Sequence, residues 1–454
     1  MPVLFDQKET STPVGLAGRI AASARMTSSR MSPDIDEWLR EKRRQPFEST
    51  LITLEELTRS PGWSFAAETG NLCHRSGRFF TVEGLHVTAD DGEAWWQPVL
   101  VQRDIAILGI IAKEFDGVLH FLLQAKMEPG NIGMVQLSPT VQATPSNYTR
   151  VHRGGPARYV EYFTEPGRGR VLVDVLQSEQ GAWFHHKRNR NIVLEVTDDV
   201  PVHRDFCWLT LGQIHRLLHR PNVVNMDTRT VLGCLSGVAP EPVGVHTMTE
   251  ILSWFTGHRS RQRLSARLVP LNRLAGWRRG ADRIAPEDGE GPFSIVGVRV
   301  RAHTREVTSW RQPLLAPHAT ALAGLMVRRL NGRLHALVRA EALPGYRDVV
   351  ELGPTVRSVA AGRPAATADQ EELLEHLLSA PPRRVRYDVV QSEEGGRFLH
   401  AQTRYLIVEA PDDFPLSVPP EYAWISIGQL HALQQHSYYL GIELRTLLFC
   451  LSAL

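Results

Sequence analysis

The chain is poor in cysteine, has almost no net charge and contains no long hydrophobic run. Its 454 residues include four cysteines, and no two of them have the spacing of zinc ligands. A formal net charge of +2 gives no argument for binding nucleic acid or a membrane surface. No apolar run approaches the roughly 18 residues that a membrane-spanning helix needs. These absences predict a reduced, cytoplasmic protein without a nucleic-acid or membrane partner.

Several common catalytic motifs are also missing. The sequence has no G-x-x-x-x-G-K-[ST] loop, no G-x-G-x-x-G after a strand and no G-x-S-x-G elbow. ATP hydrolysis, a Rossmann-bound cofactor and a serine hydrolase are therefore disfavoured. No His, Asp or Glu cluster has metal-ligand spacing, because the adjacent pair His185 and His186 would point to opposite faces of a strand. The sequence predicts no metal site.

What the chain does have is an internal duplication. QLSPTVQAT from Gln136 matches ELGPTVRSV from Glu351, and VDVLQSEQGAWF from Val173 matches YDVVQSEEGGRF from Tyr387. The register continues to RTVLGCLS from Arg229, at an offset of 214 to 216 residues throughout. An offset held over hundreds of residues predicts two copies of one domain.

The copies define the expected domain boundaries. Residues 34–237 form the first repeat, 238–248 a Pro- and Gly-containing linker, and 249–454 the second repeat. Residues 1–33 are rich in Ser, Ala, Thr and Arg, which predicts a disordered tail, with an organelle transit peptide as the alternative. Cys234 and Cys450 are equivalent positions in an apolar helical segment, so buried, inert thiols are expected there.

Local signals in both copies indicate an α+β fold. Asp116-Gly117 and Asn331-Gly332 separate pairs of apolar runs and predict hairpins with type I′ turns. Thr210 and Ser426 each precede a Gln by three residues, the pattern of a helix capping box. The segments PARYVEYF and QEELLEHLL have helical character. Each repeat is therefore predicted to be a mixed sheet flanked by helices.

The differences between the copies indicate where chemistry lies. The first copy has polar clusters at positions where the second copy has small, acidic or neutral residues. These clusters contain Lys126, Tyr148, His152, Lys187, Arg188, Asn189, Asn191, Asn222 and Asn225. Such side chains suit an anionic, hydroxyl-rich ligand. Each cluster alone also fits a solvated strand end or loop. The shared acids Glu179 and Glu393 fit a structural role as well as a ligand contact.

At QLSPTVQAT, SNYTRVH, VDVLQSEQGAWF, KRNRN and NMDTRTVLGCLS the chain resembles the NDP-hexose 2,3-dehydratases of deoxysugar and antibiotic biosynthesis. The resemblance covers nearly everything from Asp34 onward. It implies two fused Nudix-like domains, a homodimer, and a (d)TDP-4-keto-6-deoxyglucose substrate. The sequence shows no Nudix box. The second repeat departs from the family pattern at PTVRSVAAGR and AQTRY, which predicts that it is degenerate.

The implied reaction is an elimination. The C4 ketone acidifies the C3 proton, and its removal expels the C2 hydroxyl as water to give a 3,4-diketo-2,6-dideoxy sugar. His152 and Tyr148 are the leading acid–base candidates, Glu179 is the third, and Lys126 is placed to polarise the C4 carbonyl. The predicted substrate-binding residues are Gln136, Thr140, Gln142, Asn147, Lys187, Arg188, Asn189, Arg190, Asn191 and Asn225. Arg188 and Arg190 are the candidates for the diphosphate.

This scheme requires no cofactor and no metal, and its labile product implies a downstream NADPH-dependent 3-ketoreductase as a partner. Two other classes compete with it. A Nudix-type nucleotide-sugar hydrolase would need a set of metal-binding glutamates, which is not apparent in the sequence. A non-catalytic nucleotide-sugar-binding protein would not need the complete polar set that the first copy keeps.

Overall fold

The structure is a computed structural model, and it describes residues 15–59, 62–145, 157–235, 243–289, 291–302, 308–358 and 367–454. The strands of the first half are β1 (Phe47–Ile52), β2 (Trp63–Phe65), β3 (Leu72–His74), β4 (Thr81–Thr88), β5 (Ala94–Val101), β6 (Ala106–Phe115), β7 (Val118–Met127), β8 (Val135–Ser138), β9 (Val141–Ala143), β10 (Arg170–Ser178), β11 (Arg188–Glu195) and β12 (Phe206–Thr210).

The second half has a matching set. Its strands are β13 (Ser265–Val269), β14 (Trp277–Arg279), β15 (Arg283–Pro286), β16 (Phe293–Ala302), β17 (Ser309–Pro317), β18 (Ala321–Leu330), β19 (Arg333–Ala342), β20 (Val350–Gly353), β21 (Val356–Ser358), β22 (Val385–Ser392), β23 (Gln402–Glu409) and β24 (Tyr422–Ser426). The helices are α1 (Leu16–Arg25), α2 (Ile35–Arg43), α3 (Leu54–Arg59), α4 (Glu161–Thr164), α5 (Leu211–Leu218), α6 (Met226–Gly233), α7 (Met248–Arg261), α8 (Ala368–Leu378), α9 (Ile427–Gln434) and α10 (Ile442–Leu451).

Each half contains a seven-stranded mixed sheet. The first has the order β10-β11-β6-β7-β12, with β8 paired to β7 and β9 to β6; the second repeats this order with β22-β23-β18-β19-β24. One pair in each sheet, β6 with β11 and β18 with β23, is parallel, and the others are antiparallel. The prediction of an α+β fold built from two copies is confirmed.

The local sequence signals also hold. Asp116, Gly117, Asn331 and Gly332 all have positive φ, between 49° and 77°, and close the predicted hairpins. These are the backbone angles that Asp-Gly and Asn-Gly accommodate in two-residue turns. The capping boxes at the starts of α5 and α9 are present. The segment QEELLEHLL lies in α8, whereas in PARYVEYF only the four residues of α4 are helical.

The prediction of a disordered tail through residue 33 is wrong for residues 15–33. Helix α1 packs Leu16 and Ile20 against the core of the first half. The Ser23 hydroxyl donates to the Leu119 carbonyl at 2.6 Å and accepts from the Leu211 amide at 2.9 Å. An amphipathic ten-residue helix with a buried Ser therefore covers the β7 side of the sheet, which the Ser-, Ala-, Thr- and Arg-rich composition of residues 1–33 did not suggest.

The two halves exchange a strand. Strand β1 of the first half pairs with β16 of the second along its six residues, and β13 of the second half pairs with β4 of the first. Two five-stranded sheets result, β1-β16-β15-β14 with β17, and β13-β4-β3-β2 with β5. A core that contains Leu100, Phe184, Leu315 and Phe398 lies where the halves meet. The repeats are thus interlocked rather than separate units.

Because of this exchange, we expect residues 34–237 and 249–454, expressed separately, not to fold, since each lacks the partner strand of one sheet. Co-expression of the two pieces is expected to restore a soluble complex. Circular dichroism and cooperative urea unfolding of each piece, alone and together, measure this. The control is the full chain cut within 238–248, which should stay associated. Cooperative unfolding of either piece alone would contradict the prediction.

None of the helices in the described ranges combines the length and the apolar character that crossing a bilayer requires.

Candidate active site

The side chains of KRNRN, residues 187–191 at the start of β11, alternate between the two sides of the sheet. Lys187, Asn189 and Asn191 are buried, whereas Arg188 and Arg190 are only half-buried. This is the period-two alternation of a strand with one inward face. Arg190 forms a two-pronged ion pair with Asp174, and the second half repeats it as Arg404 with Asp388. The structure therefore places Arg190 in a surface pair common to both halves, away from the inward-facing polar groups.

Glu179 lies at the centre of these inward-facing groups, directly after β10. Its backbone amide donates to the Lys187 carbonyl at 3.0 Å, and Asn189 Nδ2 donates to its Oε1 at 2.5 Å. Its Oε2 is buried and has no hydrogen-bond partner among the described residues. Burial raises the pKa of Glu179 to about 7, opposed by the positive charges of Arg445 and Lys187. A carboxyl with such a pKa can both accept and release a proton near neutral pH.

Two lysines lie in the same region. Lys187 Nζ donates to the Asp104 carbonyl at 2.6 Å, and burial lowers the pKa of Lys187 to about 8. Lys126 Nζ donates to Gln142 Oε1 at 2.6 Å and lies 3.1 Å from Glu128 Oε1. The structure thus brings together four of the predicted residues, namely Lys126, Glu179, Lys187 and Asn189, with Gln142 bound to the first of them.

Three charged groups near Glu179 were not among the predicted site residues. Asp227 at the start of α6 is fully buried, and its pKa is raised well above the usual value by burial and then by the charges of Glu179, Glu394 and Glu128. Burial and then the adjacent charge of Glu128 raise the pKa of Glu394 to about 7. Arg397, in the same loop as Glu394, lowers the pKa of Lys187.

Comparison of the copies could not find these residues. Asp227 has an acidic equivalent, Glu443, so it does not stand out as a difference. Glu394 belongs to the second repeat, where the first has Gln180, so it is not among the polar residues that the first copy alone carries. The sequence signal that could have identified Glu394 is the difference between QSEQG and QSEEG, in which a carboxyl at Glu394 replaces the amide of Gln180.

Other predicted binding residues have structural contacts. Gln136 Nε2 donates to Ser392 Oγ at 2.5 Å, and its Oε1 accepts from Asn225 Nδ2 at 3.2 Å. Asn225 also caps helix α6. Thr140 bonds the backbone of Ile111 and Leu122, as its equivalent Thr355 does in the second half. Asn191 Nδ2 donates to Thr230 Oγ1 at 3.3 Å. These contacts join strands, helices and halves.

Some predicted residues cannot be placed in this way. Asn147, Tyr148 and His152 lie outside the described residues. His185 and His186 precede β11 in a bend, and their rings stack with centroids 3.9 Å apart. The expectation that the two rings point to opposite faces is therefore wrong, because the pair is not on a strand. Within the described ranges, no group of three or more His, Cys, Asp or Glu residues is arranged to hold a metal ion.

The equivalent region of the second half is filled. An ion pair of 2.8 Å joins Glu341 to Arg357, at the positions of Lys126 and Gln142. Tyr405 Oη and Gln180 Nε2 each donate to Glu393 at 2.9 Å, so both of its oxygens have partners. The cavity left beside these groups measures about 20 Å³, which is room for a single water molecule. The described side chains leave no space for a sugar ring.

Comparison with known proteins agrees with the duplication. The family model described as NDP-hexose 2,3-dehydratase matches residues 32–235 and again 248–451. Curated proteins called dTDP-4-dehydro-6-deoxy-alpha-D-glucopyranose 2,3-dehydratase are 46% identical in Amycolatopsis orientalis, over 96% of this chain and 94% of that protein, and 47% identical in Streptomyces violaceoruber, over 88% and 93%.

Solved structures give weaker likenesses. Ap4A hydrolase from C. elegans is 14% identical with a TM-score of 0.17, over 26% of this chain and 86% of that chain. The Nudix hydrolase RenU from M. smegmatis is 20% identical with a TM-score of 0.15, over 24% and 72%. Scores this low say nothing about the fold. The family match over both repeats and the identity over nearly the whole length show that the chain belongs to the NDP-hexose 2,3-dehydratase family.

Proposed function

We propose that the protein eliminates water across C2–C3 of dTDP-4-keto-6-deoxyglucose and forms a 3,4-diketo-2,6-dideoxy sugar at a site in the first repeat. The proposal rests on the environment of Glu179. This buried carboxyl lies next to Lys187 and Asn189, and its second oxygen has no hydrogen-bond partner among the described residues. Abstraction of the C3 proton needs a base that is desolvated yet partly ionised at neutral pH, and this environment supplies one.

The surrounding charges suit a negatively charged substrate. Lys126, Lys187 and Arg397 contribute positive charge, whereas the raised pKa values of Asp227 and Glu179 reduce the negative charge of the cluster. Lys126 has the reach and charge to stabilise a developing enolate at O4. Tyr148 and His152 remain candidates for the acid–base pair, with Asn147 as a candidate sugar contact, in the segment that follows Pro145.

Arg188 is the proposed diphosphate contact: it lies on the same side of β11 as Arg190, but as the first residue of the strand it adjoins the bend at His185 and His186. Its Nε has no partner among the described residues, and its charge together with that of Arg347 lowers the pKa of His186, after the larger effect of burial. Two arginines from different halves therefore meet around the bend before β11. An anion at this point would relieve their mutual repulsion and form charge-assisted hydrogen bonds.

Replacing Arg188 with Gln is expected to raise KM about 10-fold or more while kcat changes little, because a diphosphate contact is made equally in the ground and transition states. Steady-state kinetics with the dTDP sugar measures both constants. The matched control is Gln402→Ala at the equivalent position of the second repeat, which should leave both unchanged. A fall in kcat with unaltered KM would exclude the diphosphate role.

The finer features of the family resemblance are part of the same proposal. Each half is proposed to be a Nudix-like domain, supported by the mixed seven-stranded sheet with a parallel central pair and flanking helices. We also propose a cytoplasmic homodimer that acts in antibiotic or related glycoside biosynthesis and passes its labile diketone to an NADPH-dependent 3-ketoreductase.

The test of the function is direct incubation with dTDP-4-keto-6-deoxyglucose in the presence of EDTA and without nicotinamide. Mass spectrometry should show a nucleotide sugar that has lost one water. Release of dTMP and a sugar phosphate would support the Nudix-type hydrolase, and unchanged substrate with measurable binding would support a non-catalytic binding protein. Loss of turnover in EDTA that a divalent ion restores would contradict the metal-independent elimination.

A further inference from the structure

The loops that follow β10 and β22 cross between the halves. In the second half, Glu393 receives a hydrogen bond of 2.9 Å from Gln180, which belongs to the first repeat. The duplication pairs Glu393 with Glu179 and Gln180 with Glu394. By this symmetry we expect Glu394 of the second repeat to lie near Glu179 of the first, with a carboxyl where the other half has an amide. The charge of Glu179 does act on the Glu394 carboxyl.

The backbone holds this crossing in both directions. The Gly130 amide donates to the Gly395 carbonyl at 2.8 Å, and the Gly345 amide donates to the Gly181 carbonyl at 2.8 Å. A Cβ on Gly130 would lie 1.7 Å from the Phe398 carbonyl oxygen, so only glycine permits this approach. The loop that carries Glu394 is fixed against the turn that follows Lys126 and Glu128.

From this mirrored contact we infer that Glu179 and Glu394 form a carboxyl pair across the two repeats and that the pair transfers both protons of the elimination. The Oε2 atoms of both side chains are buried and lack hydrogen-bond partners among the described residues. A buried carboxyl oxygen without a partner is costly, and a bound substrate hydroxyl or C–H group would occupy that position.

Burial raises the pKa of Glu179, and its neighbouring charges and hydrogen bond partly offset this effect by favouring the ionised form. Arg445 and Lys187 place positive charge beside it, and Asn189 donates to its Oε1. The charge of Glu393 acts in the opposite direction, and Glu394 and Asp227 are further acidic neighbours. An ionised carboxyl with one free oxygen is the form that accepts a proton from carbon. Glu179 is accordingly the base.

The surroundings of Glu394 favour its protonated form. Glu128 is the neighbouring charge with the largest effect and disfavours ionisation, as does Glu179 itself, while Arg397 and Lys126 act in the opposite direction. Two carboxyls that face each other do not both ionise readily, so one keeps a proton at neutral pH. Glu394 is accordingly the acid.

The proton balance closes over one turnover. The Glu179 carboxylate takes the C3 proton, and the C3–H electron pair forms the enolate. The C2–O bond then breaks as Glu394 protonates the departing hydroxyl, which leaves as water. Glu394 next takes the proton of the C3 enol while Glu179 returns its proton to C2. This yields the C3 ketone and restores both carboxyls.

The stereochemistry of the sugar agrees with this arrangement. In the glucose chair the C3 hydrogen is axial and the C2 hydroxyl is equatorial, and the two are gauche on one face of the ring. Both groups therefore leave from that face, and a base and an acid placed side by side there can remove them. Two neighbouring carboxyls meet this requirement without moving the sugar between steps.

The inference rests on the proposed dehydratase activity, and one set of assays separates the two. Substrate is incubated in D₂O with the wild type and with Glu394→Gln and Glu179→Gln. We expect Glu394→Gln to lose water elimination by about 10²-fold or more yet to keep deuterium exchange at C3, whereas Glu179→Gln loses both. Gln is the residue of the equivalent position, Gln180, so the loop should accept it; Glu394→Ala and thermal melts check folding.

The outcomes distinguish failure of the proposed function from failure of the carboxyl pair. If the wild type leaves the substrate unchanged, the proposed function fails. If the wild type eliminates water and Glu394→Gln does so at a similar rate, the carboxyl pair is wrong and the acid lies elsewhere, for example at His152. If folded Glu394→Gln loses C3 exchange together with elimination, Glu394 is not the acid of the pair. Glu393→Gln, beside it in the chain but facing the filled second half, should retain both activities.

Discussion

Replacing Glu179 with Gln is expected to lower turnover about 10²- to 10⁴-fold, the usual worth of a positioned acid–base group. The substitution keeps the size of the side chain and leaves its Oε1 able to accept from Asn189. It removes the group that takes the C3 proton, so kcat should fall much more than binding of the dTDP sugar weakens. Steady-state turnover, with binding followed separately by calorimetry, measures the two effects.

The matched control for Glu179→Gln is Glu393→Gln in the second repeat. There the carboxyl is bonded by Tyr405 and Gln180, and a rotation of the Gln180 amide would satisfy the new side chain. Turnover should remain within a few-fold of the wild type. Near-normal turnover in a folded Glu179→Gln protein, or loss of turnover in Glu393→Gln alone, would contradict the assignment of the site to the first repeat.

Replacing Arg445 with Met is expected to lower the free energy of unfolding by roughly 3–5 kcal/mol, because three buried polar groups lose a charged partner. The guanidinium donates to the Leu440 carbonyl, to the Ser178 carbonyl at 2.7 Å and to Thr230 Oγ1 at 2.9 Å. The last two lie in the other repeat. Urea unfolding followed by tryptophan fluorescence measures the loss.

The control for Arg445→Met is Arg404→Met, which removes an arginine from the exposed pair with Asp388. An exposed ion pair contributes about 0–1 kcal/mol, so this variant should unfold almost as the wild type does. Equal stability of the two variants would contradict the role of Arg445 as a link between the repeats. Because Arg445 lowers the pKa of Glu179, its loss should also move the acidic limb of the activity profile to higher pH.

Much of the fold was predictable because its signals are local. The turns at Asp116-Gly117 and Asn331-Gly332 and the caps at Thr210 and Ser426 depend on residues a few positions apart, and the duplication reveals each of them twice. The exchange of β1 and β13 was not predictable, since the pairing of a strand depends on residues that are distant along the chain. The helix at residues 16–25 was missed because the composition of residues 1–33 as a whole, rich in Ser, Ala, Thr and Arg, outweighed the short Ala-rich stretch within it.

The candidate site was predictable in part for the same reason. Lys126, Glu179, Lys187 and Asn189 lie near one another, because Lys126 and Asn189 belong to β7 and β11 while Glu179 and Lys187 adjoin the ends of β10 and β11. Arg190 looked similar in sequence but occupies the other side of β11, where Asp174 binds it. Glu394 was not predicted, because aligning the two copies assigns a residue of the second repeat to a site in that repeat.

The most direct test of a single site built from both repeats is an experimental structure with dTDP-glucose bound. This analogue lacks the C4 ketone, so elimination cannot start and the complex should persist. We expect a hexose ring in contact with Glu179 and Asn189 of the first repeat and with Glu394 of the second, with C2 and C3 facing the two carboxyls. A hexose bound against Glu393 in the second half, or one that touches neither Glu179 nor Glu394, would contradict it.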